Sequence, residues 1–162
     1  MIPVLYREYP IGTLGLMEDG QGISRVFLRR EGESGKLPEG ETPLTAQAAK
    51  ELEEYFDRGR SDFTVPLSPH GTRFQLTVWR ALREIPYGQT RTYGEIAGAV
   101  GRPRAARAVG MANHDNPLLI FTPCHRVVGK GCALTGFACG LEVKRRLLEL
   151  EGAQILQAKN SF

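Results

Sequence analysis

"TYGEIAGAVGRPRAARAVGMANH", residues 92–114, decides how the second half of this chain is built. Thr92, with Glu95 three residues on, forms a capping box, so a short helix starts with Tyr93 in its first position. The stretch "GRP" at 101–103 breaks the chain after one or two turns. Pro103 suits the opening of a second helix, "RAARAVGMANH". Two short helices joined by a tight, glycine-containing turn are a helix-turn-helix pattern.

The second helix opens on Arg104, Ala105, Ala106, Arg107 and Ala108, with small side chains around the arginines. Alanines allow close helix packing. A small-faced, arginine-bearing helix can also press against a nucleic-acid backbone, with Arg102, Arg104 and Arg107 meeting phosphates or bases. The charge distribution favours the second reading. Residues 1–72 carry 8 Lys and Arg against 12 Asp and Glu, and residues 73–162 carry 13 against 6. A whole-chain charge of +3 thus hides a C-terminal half at +7, which suits a polyanion.

The flanking elements follow from periodicity. "FQLTVWRALREI" places Phe74, Val78, Trp79, Leu82 and Ile85 on one helical face, and "PYG" stops it. "SPHGTR", residues 68–73, reads as a linker at the charge boundary. Upstream of it, "TLGLMEDGQGISRVFL" has two apolar stretches around a turn, hence a hairpin. "TPLTAQAAKELEEYFDRG" is a helix with Thr42 as N-cap, Pro43 first and Gly59 ending it. Its apolar face is Leu44, Ala48, Leu52, Tyr55 and Phe56. "FTVPL" alternates Phe63, Val65 and Leu67 as a half-buried strand.

Composition excludes several classes. At 162 residues and 41% hydrophobic, the chain can bury a core without staples. No apolar run approaches the roughly 18 residues of a membrane span. The start "MIPVLYREYPIG" lacks a basic segment followed by an apolar one, so no signal peptide is expected. Cys124, Cys132 and Cys139 are odd in number and match no metal-ligand spacing, so reduced thiols in a cytoplasmic compartment are expected and no metal.

"FTPCHRVVGKG", residues 121–131, raises the question of chemistry. It follows the apolar run "NPLLI", which reads as a buried strand. A thiol attacks only as thiolate, so Cys124 needs a group that takes its proton. His125 is adjacent, but neighbours on an extended strand point to opposite faces. Contact then requires a bend or a bridging water. A histidine base also needs an orienting acceptor, for which Glu142, Glu149 and Glu151 are candidates.

Residues 74–152 resemble the O6-alkylguanine-DNA alkyltransferases. The resemblance rests on "NPLLIFTPCHRVV", "FQLTVWRALREIPYGQTRTYGEIA", "GRPRAARAVGMAN" and "TGFACGLEVKRRLLELEG", in the family's order and spacing. Residues 1–72 resemble the family's variable N-terminal domain less distinctively. The resemblance implies an α/β (α+β) chain: an RNase H-like sheet-and-helix domain over 1–72, and a mostly helical, winged-helix-like DNA-binding domain over 73–162.

It also implies an activity. An alkyl group on O6 of guanine, and by extension O4 of thymine, passes irreversibly to Cys124, once per chain and without a cofactor. His125 acts through a water on the thiol, Glu151 holds the other side of the imidazole, and Asn116 steadies the cysteine and its loop. Arg107 enters the duplex in place of the extruded base, and Tyr93 aids flipping and bonds guanine N3. Val127, Ala138 and Cys139 line the base pocket. Gly94, Arg102 and Lys130 match DNA contacts. The implied partner is double-stranded DNA carrying alkylated guanine, bound by a monomer with no membrane association, in the cytoplasm or on the nucleoid.

Two positions depart from the family: Cys139, where relatives often have glycine, and Phe137, where tyrosine is common. The cysteine at 139 is expected to narrow the pocket. The alternative is a lesion-sensing alkyltransferase-like protein that binds and flips without reacting. That group typically replaces the signature cysteine by tryptophan, whereas Cys124 is present. A sequence-reading helix-turn-helix regulator would carry more polar base-reading side chains on its second helix. A cysteine hydrolase would need an oxyanion hole that no feature supports.

Overall fold

The computed structural model describes residues 2–30 and 37–155. The tail 156–162 of the expected second domain lies outside the described residues. The chain forms two compact units, Met1–His70 with Pro117–Leu119, and Gly71–Asn116 with Ile120–Phe162. Among the described residues no helix is long and apolar enough to cross a membrane.

The first unit is a three-stranded antiparallel meander with one helix. β1 (Leu5–Tyr9), β2 (Gly12–Glu18) and β3 (Ile23–Leu28) pair in the order 1-2-3. The expected hairpin is β2–β3, and its turn is held by Asp19 Oδ1, which accepts from Gln21 N–H at 2.9 Å and Gly22 N–H at 3.1 Å. Sequence reading missed β1, because "LYREY" is an edge strand whose Arg7 and Glu8 face solvent and blunt the apolar alternation. α1 runs Pro43–Arg58 with Thr42 as N-cap and Gly59 in the left-handed conformation beyond its end. Both caps are where the sequence places them.

The strand expected over 63–67 does not form. The amides of Thr64 and Val65 donate to the buried Glu51 carboxylate at 2.9 and 3.2 Å instead of to a neighbouring strand. From this segment a single bridge, Leu67 to Ile23, reaches β3 among the described residues. The expected linker is also tethered: Ser68 Oγ donates to Asp19 Oδ2 at 2.5 Å, and His70 Nε2 lies 2.8 Å from the same oxygen.

The second unit holds α2 (Arg73–Leu82), β4 (Arg91–Thr92), α3 (Tyr93–Ala99), α4 (Ala106–His114), β5 (Val127–Val128) and α5 (Leu141–Leu150). The capping box of α3 is present, with Thr92 Oγ1 accepting from Glu95 N–H at 3.0 Å and Glu95 Oε1 accepting from Thr92 N–H at 2.8 Å. α4 starts three residues later than expected. Ala105 N–H donates to Arg102 O at 2.8 Å, so Arg102–Ala105 is a turn with Pro103 second, where its fixed φ fits best. Arg104 therefore lies outside the helix and Arg107 in its first turn. Trp79 Nε1–H donates to Ala112 O at 2.7 Å and ties α2 to the end of α4.

"NPLLI" is buried at Leu118, Leu119 and Ile120 but is not a strand. Leu118 makes one bridge to Val26, within the first unit, and the chain then reverses through Ile120 at φ 72°. A β-branched residue in that region is costly, and its burial to 1% exposure is the compensation.

Candidate active site

Cys124–Arg126 is one turn of 3₁₀ helix, not a strand end. Cys124 N–H donates to Thr122 O at 2.7 Å and Arg126 N–H to Pro123 O at 2.9 Å. Successive side chains on such a turn diverge by roughly 120° and not by the half-turn of a strand. This removes the difficulty that the extended geometry posed for Cys124 and His125.

The thiol is shielded from water, and burial pushes its pKa up to about 12. A hydrogen bond from Asn116 works against this, as does the Lys144 ammonium. At neutral pH the group is a thiol, and its reactivity depends on a neighbouring base.

His125 is the candidate for that base. His125 Nε2 lies 2.7 Å from Glu151 Oε2, and both side chains are 0% exposed. Glu151, just past α5, also accepts from Arg126 Nε–H at 2.8 Å, Arg126 Nη2–H at 3.0 Å and Gly88 N–H at 3.3 Å. Gly88 sits at φ +80°, and a Cβ there would come within 3.1 Å of Glu151 O, so the close approach requires glycine. Burial works to raise the Glu151 pKa, but His125 and Arg126 outweigh it and hold the carboxyl well below the usual range. Burial lowers the His125 pKa despite Glu151. An ionised Glu151 only accepts hydrogen bonds, so Nε2 carries the proton of a neutral imidazole. The free lone pair is then on Nδ1, which is buried and has no protein partner.

The surrounding wall is tied to the same turn. β4 and β5 pair in parallel, Arg91 with Val127 and Thr92 with Val128. Tyr93 OH lies 2.8 Å from Thr135 Oγ1. Lys144, itself fully buried, donates to Val127 O at 2.5 Å and Thr135 O at 3.1 Å, with Phe137 ring 5.8 Å away. Asn116 Nδ2–H donates to Thr122 O at 2.9 Å, and Arg83 Nη1–H to Thr122 Oγ1 at 3.1 Å.

Of the residues singled out from sequence, Cys124, His125, Glu151, Asn116 and Val127 thus converge. Cys139 is half-buried, and electrostatic coupling to it adds to the upward shift of the Cys124 thiol. Tyr93 joins through Thr135. Gly94, Arg102, Arg107, Lys130 and Ala138 are exposed, with Arg102 lying 5.6 Å over the Phe74 ring. Sequence reading missed Arg126, Lys144 and Asn113. Lys144 was detectable: it falls in phase with Leu147 and Leu148 on the buried face of α5, where a cation needs a reason. Nothing in the local pattern marks Asn113 or Arg126.

Comparison with known proteins identifies the family of the chain. Residues 73–153 match the family described as "6-O-methylguanine DNA methyltransferase, DNA binding domain", and residues 4–69 match its "ribonuclease-like domain". The chain is 46% identical over 149 residues to a methylated-DNA–protein-cysteine methyltransferase of Methanosarcina acetivorans, covering 90% of this chain and 96% of that one. A constitutive Bacillus subtilis protein of the same description is 49% identical over 151 residues, covering 89% and 92%. A Mycobacterium tuberculosis homologue solved in complex with DNA superposes with a TM-score of 0.84 at 42% identity, over 92% of each chain.

Proposed function

Since the chain belongs to the 6-O-methylguanine DNA methyltransferase family, we propose that it repairs double-stranded DNA by moving an alkyl group from O6 of guanine to Cys124, once per molecule. O4-alkylthymine is a second substrate of the same chemistry.

The observation that carries this reading is a buried His125–Glu151 pair at 2.7 Å beside a buried thiol. The thiol proton passes through a water to His125 Nδ1, and Glu151 stabilises the imidazolium that forms. The thiolate attacks the alkyl carbon, an S–C bond forms, the C–O6 bond breaks, and its electron pair leaves with guanine. Tyr93 receives guanine N3, and Asn116 holds the loop and the sulfur. Val127, Ala138 and Cys139 bound the pocket.

A buried thiol reaches a base only after that base leaves the stack. Arg107, exposed in the first turn of α4, fills the gap in the duplex. The alanines beside it let the helix backbone approach a narrow groove. Gly94, Arg102 and Lys130 contact the DNA backbone. The product is a thioether, open neither to thiol exchange nor to hydrolysis, so the protein stops after one event. Cys124 also separates this reading from that of a non-reacting lesion sensor, which has no use for an activated thiol.

The test is incubation with duplex DNA containing O6-methylguanine, followed by peptide mass spectrometry. The expected result is a plateau at one equivalent, one methyl group on the Cys124 peptide, and no transfer by Cys124→Ala. Sustained turnover, or transfer to Cys132 or Cys139, would falsify the assignment.

A further inference from the structure

One buried polar side chain beside the nucleophile has no part in the scheme above. Asn113, on α4, is 3% exposed, and its Nδ2–H donates to the carbonyl oxygen of Cys124 at 3.3 Å. Its Oδ1 is buried and unpaired. Among the described residues only one other buried side-chain nitrogen or oxygen lacks a partner, and that is Nδ1 of His125. Both belong to groups hung on one peptide unit, the bond from Cys124 to His125. Asn113 is hydrogen-bonded to its carbonyl, and His125 is its next residue.

Buried carboxamide oxygens and imidazole nitrogens are rarely left unsatisfied, and where they are, a bound water is the usual partner. A water that serves both has a defined orientation. Nδ1 of His125 is an acceptor, because Nε2 carries the proton toward Glu151. Asn113 Oδ1 is an acceptor as well. One water can give a hydrogen to each, and its lone pairs then face outward, toward a third group that donates. The donor at hand is the Cys124 thiol.

We propose that Asn113 is a positioning residue for proton transfer: its Oδ1 and Nδ1 of His125 hold one water with a lone pair toward Cys124 Sγ. The inference rests on the alkyl-transfer reading and adds a residue to it. In the step itself the thiol proton goes to the water oxygen, and the water hydrogen bonded to Nδ1 goes to His125. The water is regenerated, leaving thiolate and imidazolium. The hydrogen bonded to Asn113 stays where it is and fixes which hydrogen moves. Asn113 lies on α4 and also grips the Cys124 carbonyl, so the same side chain sets the water relative to the sulfur.

The test uses wild type, Asn113→Leu, His125→Leu and the double variant in single-turnover transfer from O6-methylguanine duplex DNA across pH 6 to 10. Leucine keeps the volume and removes the acceptor. Transfer by wild type establishes the reference; its absence would count against the activity and not against Asn113 alone. The expected result is a loss of about 10²–10⁴-fold for each single variant, with unchanged DNA binding. The double variant should be no slower than the slower single one, because both act through one water. The Asn113→Leu rate should climb with pH where wild type has levelled off, since direct thiol ionisation then limits it. Multiplicative losses, or a wild-type pH profile for Asn113→Leu, would overturn the proposal. So would a faster variant, which would mean that Oδ1 holds the thiol proton itself. Should Asn113→Leu not fold, a high-resolution crystal structure of wild type decides. A water within hydrogen-bond distance of both Asn113 Oδ1 and His125 Nδ1 is expected, and its absence refutes the arrangement.

Discussion

His125 and Glu151 are separated by 26 positions in the chain and by 2.7 Å in the fold, with Arg126 bonded to both carboxylate oxygens of Glu151 from the residue after His125. The imidazole is thereby held in one tautomer by a carboxylate that Arg126 helps to keep ionised. A base so fixed can take a proton only at Nδ1, and Cys124 is the adjacent residue.

Glu151→Gln is expected to cost stability as well as rate. Breaking a buried pair by removing one charge typically costs about 3–5 kcal/mol, and here it also leaves the Arg126 guanidinium unpaired. The sign with pH follows from the depressed Glu151 pKa. Its stabilisation is fully present above the unfolded carboxylate value and is lost as pH falls toward the folded one. Urea unfolding of wild type and variant should differ most near pH 7 and converge in acid. A gap that widens on acidification would mean that Glu151 is not held ionised.

Lys144→Met tests the buried ammonium. Burial lowers the Lys144 pKa from 10.5 to about 8. The unfolded chain therefore binds this proton more tightly, and the folded state bears the full penalty below pH 8. Between about pH 8 and 10.5 the penalty disappears, and wild type should gain about 3 kcal/mol relative to Lys144→Met. The variant also leaves Val127 O and Thr135 O without their donor, a pH-independent loss that shifts the curve without changing its slope. Parallel stability curves for the two proteins would place the Lys144 pKa near its ordinary value.

Arg107→Ala should impair repair of duplex DNA much more than reaction with free O6-alkylguanine. Only the duplex requires a base to be expelled, at a cost of a few kcal/mol. The exposed position of Arg107 means that the fold itself is indifferent to the change. Second-order rate constants on the two substrates provide the comparison, and equal losses would remove Arg107 from base flipping.

Cys139→Gly should raise the rate with O6-benzylguanine relative to an O6-methylated substrate. Electrostatic coupling to Cys139 raises the Cys124 pKa, and under the proposed function Cys139 bounds the pocket. Removing its side chain opens room for a bulky alkyl group. An unchanged benzyl-to-methyl ratio would show that the loop sets no size limit.

The local elements bounded by capping residues were legible from sequence. Thr42 with Pro43 and Gly59 delimits α1, and Thr92 with Glu95 starts α3, because caps depend on residues three or four apart. The candidate nucleophile Cys124 and its neighbour His125 stand side by side in the sequence, so their juxtaposition needed no tertiary information. The absence of a strand over 63–67 was not legible, because Glu51, thirteen residues away, takes the amides that a strand would pair. The start of α4 was misjudged because Pro103 serves a turn as readily as a helix start, and the Ala105–Arg102 hydrogen bond decides between them.

What the sequence by itself determined is therefore local: helix limits, the charge difference between the halves, and the residue types that can do thiol chemistry. The resemblance singled out Glu151 among three glutamates; the tertiary structure decided that it lies against His125, that Lys144 and Arg126 bury their charges around Cys124, and that Cys124 rides a 3₁₀ turn. Those outcomes depend on contacts between residues distant in the chain. Desolvation sets the charge state of each such group, and no window of neighbouring residues contains it.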